Sequence, residues 1–208
     1  MSVPMSQVLA TARTYLNDDN ATQFPDAVLI PKVQEAHREL QEELWVAGSP
    51  NVRNTGIVAY TAAAVTIPYT SLTDLLCPFL LFENASGSTV NTAGWTPMTE
   101  VYNLPLGQTQ STTLGYWCWQ KEVILCVGSS ANRAVNIQYR SLITIPVLVT
   151  DLIGILFGES YLAARSAAIA AGTLGNADVY TAMTALAKEN LLKVITANRG
   201  QQKPQLRP

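Results

Sequence analysis

His37 is the only histidine in this 208-residue chain, and so the only side chain whose ordinary titration lies near neutral pH. It is the natural candidate for a general base. It falls four residues after Val33 and three before Leu40, at the edge of a helical apolar face, where a boundary residue is expected. A hydrolase would also need a nucleophile. Gly158-Glu159-Ser160-Tyr161-Leu162 lacks the second glycine of the G-x-S-x-G elbow and reads as helix. The sequence has no G-x-G-x-x-G, no Walker lysine motif and no H-E-x-x-H. Asn17-Asp18-Asp19-Asn20 has the look of a calcium loop without its glycine or terminal glutamate, so a solvated turn is expected there. Cys77, Cys118 and Cys126 are odd in number and lack C-x-x-C spacing, which argues for buried free thiols over a disulfide framework or a zinc site. These residues give no support for an enzyme, and no metal or cofactor is expected.

Two further groups could bind nucleic acid. Tyr116-Trp117-Cys118-Trp119 could stack bases, but only Lys121 and Arg133 lie near it in sequence, so packing aromatics are expected, with Trp117 and Trp119 on one strand face. From Lys188 onward there are five basic residues and one acidic, against eight and fourteen before it. The final ten residues, 199–208, carry Arg199, Lys203 and Arg207 with Leu206 and two prolines. This composition suits an extended arm that orders on a partner.

The elements that must position these groups change period along the chain. Pro4 starts a helix whose face is Val8, Leu9, Ala12, Tyr15 and Leu16; a main second helix is predicted from Pro31, with Gly48 ending it. Alternation then takes over. Ile57 to Thr61 and Val65 to Tyr69 predict a hairpin, Leu114 to Trp119 pairs with Val123 to Val127, and Val135 to Arg140 reads as a half-buried strand. Residues 83–113 form a long polar loop with one strand around Met98 to Tyr102. A helix capped by Thr150-Asp151 is predicted over Leu152 to Gly172, followed by a break at Gly172 to Asn176 and a second helix from Ala177 to Asn198. The expected fold is α+β: a helical bundle from residues 1–50 and 150–198, an inserted antiparallel β domain at 51–149, and a C-terminal arm at 199–208.

Hydrophobic residues make up 48% of the chain and charged residues 13%, about half the usual charged fraction, so a surface poor in charge must be covered by other subunits or be sticky. Gly154, Gly158, Ala163 and Ala167 let a second backbone come close and are the candidate subunit-packing residues. The start Met1-Ser-Val-Pro-Met-Ser-Gln has neither the basic nor the apolar region of a signal peptide, and Glu159 and Arg165 interrupt the most apolar helix. A soluble protein made in the cytoplasm, with no membrane partner, is expected.

In order along the chain, these pieces resemble the head-to-tail connector, or adaptor, proteins of tailed bacteriophages. Ala12-Arg-Thr-Tyr15-Leu-Asn17-Asp18, then Phe24-Pro25-Asp26-Ala-Val-Leu29 and Val33-Gln-Glu-Ala36-His-Arg-Glu-Leu40, are similar to that family's opening. Ala62-Ala-Ala-Val65-Thr-Ile-Pro68, Leu75-Leu76-Cys-Pro78, Trp95-Thr-Pro97-Met98, Trp117-Cys-Trp119 and Ile137-Gln-Tyr139-Arg echo its middle β-region, and the two-helix finish completes the likeness. The resemblance implies a virion protein assembled in the host cytoplasm into a homo-oligomeric, usually dodecameric, ring. That ring would lie between the portal protein and the next tail protein, a nozzle or stopper, and double-stranded DNA would pass through its lumen without specific binding. It implies no catalysis. Arg199, Lys203, Leu206 and Arg207 would form a portal-docking arm.

Two other classes remain open on the residues alone. A nucleic-acid-binding module using the basic C-terminal stretch would show salt-dependent DNA binding lost with residues 199–208. A hydrolase would show turnover abolished by His37→Ala.

Overall fold

The computed structural model describes residues 3–84, 94–104 and 111–198. The fold is α+β, in two compact units: Met1–Val52 with Ile143–Pro208, and Arg53–Leu142. Residues 143–149 therefore belong with the helices and not with the strands. The Gln34 side chain donates to the Pro146 carbonyl, and Gln41 binds the Ile143 backbone, tying that segment to a helix.

In the helical unit α1 spans Met5–Tyr15 and buries Met5, Val8, Leu9 and Ala12, with Pro4 at its N-cap. The helix α2 spans Asp26–Val46, so it starts five residues before the predicted Pro31. An interior proline removes the bond to the carbonyl four residues back. Here that carbonyl belongs to Ala27, which is exposed to water, and the earlier start keeps fully buried Leu29 on the same face as Val33. At the other end Gly48 has a φ of 72°, its N–H reaches the Trp45 carbonyl, and Ser49 N–H reaches the Leu44 carbonyl, the paired bonds of a Schellman stop.

The helix α3 spans Gly158–Thr173, shorter than predicted, and α4 spans Ala177–Asn198. Gly175 and Asn176 close α3 with the same pair of bonds, to Gly172 and Ala171, and the Asn176 side chain then accepts the Val179 N–H at the start of α4. Residues 152–157 are not helical. Ile153 and Ile155 are buried while Leu152, Gly154 and Leu156 are exposed, an alternation of period two. Backbone bonds fix this strap, from Met5 to the Asp151 carbonyl and from Ile153 to the Val3 carbonyl. Asp151 does not cap α3; its carboxylate accepts the N–H groups of Val147 and Leu148. One apolar core, including Leu9, Leu29, Leu40, Leu44, Ile153 and Leu162, joins these elements.

The second unit holds two four-stranded sheets. One has the order β1 (Arg53–Tyr60), β8 (Arg133–Ser141), β3 (Leu75–Asn84), β4 (Thr96–Pro97); the other β2 (Thr66–Ile67), β7 (Val123–Cys126), β6 (Tyr116–Gln120), β5 (Thr99–Glu100). Their shared core takes Val58, Leu81, Ile137 and Tyr139 from the first sheet and Ile67, Trp117 and Ile124 from the second. The predicted 57–69 hairpin does not form. β1 pairs with β8, β2 pairs with β7, and Ala63, at a φ of 65°, carries the chain from one sheet to the other with its N–H on the Ser129 carbonyl. The predicted pairing of β6 with β7 is present, turning through Lys121 and Glu122, both at positive φ. Strand β3 is absent from the sequence reading because Pro78 argues against a strand. The register shifts on either side of Pro78 are where the proline is accommodated.

Candidate assembly surface and the root of the C-terminal arm

The four small residues predicted to pack against another subunit are placed differently by the helical unit. Ala163 and Ala167 are fully buried in the core that α3 forms with its own neighbours, so they present nothing to a second copy. Gly158 opens α3 and is buried; a Cβ there would lie 3.2 Å from the Ile155 Cβ and 3.5 Å from Leu40 Cδ2. Gly154 is exposed but sits in the strap, outside any helix, 3.2 Å from Ile143 Cγ2 by the same construction. Close packing by small residues is thus a property of the subunit's own interior. Arg199, Lys203, Leu206 and Arg207 lie outside the described residues.

The surface that sequence reasoning missed is the strap itself. Val147, Leu148, Leu152 and Phe157 are 61%, 62%, 58% and 56% exposed, and Leu156 is exposed beside them. Large apolar groups this concentrated on a short, backbone-pinned segment mark an interaction face. Phe157 also holds a φ of 58°, a left-handed conformation that a bulky residue adopts at a cost. The signal lay in the alternation of 152–156, which a helical reading of the same apolar letters hides.

Asn198, the last described residue, is anchored at the end of this strap. Its side-chain amide donates to the carbonyls of Leu156, at 2.9 Å, and Val194, at 2.7 Å. Ser49 Oγ donates to its backbone carbonyl and Asn51 Nδ2 to its side-chain oxygen. The arm that follows therefore has a fixed root.

Beside that root a groove of about 480 Å³ is lined by α2, α3 and α4. Its α2 wall presents Glu39, Glu42 and Glu43, and Ala187 and Leu191 of α4 make it partly apolar. Arg165 on α3 is bound by Glu39 through two bonds, 2.6 and 2.8 Å long. Tyr161 is pushed up to about 12 by burial first and then by the negative charge of Glu39 and Glu43, with Arg165 opposing. Thr184 lines the same groove, and its hydroxyl is buried with no partner among the described residues.

His37 is fully buried, not a boundary residue. Gln41 Nε2 donates to its Nδ1 at 3.0 Å, which places the proton on Nε2, and that atom has no partner among the described residues. Burial, and then the charge of Arg38, pull its pKa down to about 4. Asp18 is likewise buried, contrary to a solvated turn, because its carboxylate gathers the N–H groups of Thr22, Gln23 and Phe24 and closes the loop after α1. Among the described residues no group of three or more His, Cys, Asp or Glu side chains is gathered to hold a metal ion, and no helix is long and apolar enough to cross a membrane.

In the β unit Trp117 is buried in the core and Trp119 packs against the same cluster, with Tyr69 at a ring-centroid distance of 5.6 Å. No protein-family model matches the chain, and no curated protein sequence does.

Proposed function

We propose that this chain is a structural virion protein, a head-to-tail adaptor that forms a ring between a portal and the next tail protein, through which genomic DNA passes. The observation that carries this reading is the exposed, rigid apolar strap of 147–157 set against the fixed root of a basic arm. The strap is the face that a neighbouring copy covers. In a cyclic ring each contact is heterologous, so a strap on one subunit meets a different patch on the next. The arm, carrying Arg199, Lys203, Leu206 and Arg207, extends from Asn198 towards the portal. The job is mechanical coupling, with no chemical step.

The test mixes the purified chain with a portal and images the product by electron microscopy. A ring on the portal is expected for the native chain. Leu152→Asp is expected to remain folded by circular dichroism and to form no ring. Persistent rings in Leu152→Asp, or a chain that stays monomeric with every partner supplied, would overturn the reading. Salt-sensitive DNA binding without any ring would favour a nucleic-acid-binding module instead.

A further inference from the structure

We propose that in the free subunit the C-terminal arm, residues 199–208, folds back into the groove between α2 and α4 of its own chain and is latched there until assembly draws it out. This latch stands or falls separately from the ring.

Three observations carry it. The first is where the arm begins. Asn198 is held to Ser49, just past the end of α2, and to Leu156, so the chain leaves the helices at the mouth of the groove. Glu43 lies six residues before Ser49, roughly 9 Å along a helix, and Leu191 seven residues before Asn198, roughly 10 Å. Ten residues span at most about 36 Å when extended, so the arm can line the groove in its own subunit. Gly200, directly after Arg199, gives the reversal a residue free to take left-handed angles.

The second is charge. The arm carries three cations and no acidic side chain. The α2 wall presents three carboxylates, of which Glu39 is already joined to Arg165; Lys188 stands on the α4 side. Glu43 is exposed at the rim near the root, where Lys203 would lie after the reversal.

The third is what the groove lacks. Leu191 leaves part of the lining apolar, which suits Leu206, and the buried Thr184 hydroxyl needs a polar partner that an extended backbone or one of the arm's glutamines can provide.

Trypsin tests this on the full chain. Within the arm it can cut only after Arg199, because Lys203 and Arg207 each precede proline. Release of the 200–208 peptide, followed by mass spectrometry, reports the population of undocked arm. The native chain should lose it slowly, and faster in high salt. Glu43→Lys and Lys203→Glu should each speed release by about three- to tenfold, and the double variant should restore protection. Lys203→Glu lies outside the helices, so it keeps the test valid if Glu43→Lys fails to fold. Protection should not change over about a hundredfold range of protein concentration, as an intramolecular contact requires. Equal release in all variants would overturn the proposal, and so would protection that grows with concentration, which would place the arm in another copy.

Discussion

Gln41 binds both backbone groups of Ile143, donating from Nε2 to the carbonyl and accepting the N–H at Oε1, each at 3.0 Å. A side chain here does what a neighbouring strand would do, and it fastens the segment that re-enters the helical unit to α2. Gln41→Leu would leave both groups of Ile143 and Nδ1 of His37 without this partner. It should lower unfolding stability by roughly 2–4 kcal/mol, read from the urea midpoint. An unchanged midpoint would show that water replaces the glutamine.

His37 makes stability depend on pH with a definite sign. Its folded pKa of about 4 lies below the ordinary 6.5, so between these values the unfolded chain binds more protons. Its contribution is complete above pH 6.5 and is lost as the pH falls towards 4, by up to about 3 kcal/mol. In His37→Leu that slope should be flatter than in the native chain, as measured by denaturation at a series of pH values from 7 down to about 4.5.

Gly158→Leu should destabilise the subunit itself by about 1–3 kcal/mol, since Ile155 and Leu40 already fill the space its side chain needs. The melting temperature of the protein at low concentration, where association is absent, checks this. A loss seen only in the assembled form would return Gly158 to an interface.

Phe157 separates stability from assembly. Glycine there relieves the left-handed backbone, a gain of about 1 kcal/mol that the partial burial of Phe157 offsets only in part. Phe157→Gly is therefore expected to melt no lower than the native chain while associating more weakly in sedimentation. Reduced stability with unchanged association would contradict the role given to the strap.

In the β unit Tyr139 donates to Asp74 Oδ1 at 2.8 Å, and Asn54 donates to the other carboxylate oxygen at 3.0 Å. Burial alone pushes the Asp74 carboxyl up; the two hydrogen bonds more than offset it, so it sits below the usual carboxylate value. Tyr139→Phe should destabilise by about 1.5 kcal/mol, by the same urea measurement.

The elements legible in the sequence are those whose ends are written in local chemistry. The Gly48 stop, the Gly175-Asn176 break and the β6–β7 turn stand where glycine, asparagine and period placed them. The misreadings share one cause, tertiary contacts that outweigh a local rule. Leu29 draws α2 past Pro31, and a register shift admits Pro78 to a ten-residue strand. Pairing with Val3 and Pro4 turns apolar letters that suit a helix into an extended strap. The assembly face was hidden for the same reason: the small residues that looked like an interface are interior, and the exposed leucines looked like the inner side of a helix.

Arg53 and Arg140 are register partners on adjacent antiparallel strands, so the β unit's first residues and nearly its last lie side by side. A polypeptide loop that starts and finishes at one spot is exchangeable. Evolution, or an engineer, could remove the entire 53–142 cassette, bridge the gap with a short turn, or graft in a differently shaped head, while the helical body kept its own connections.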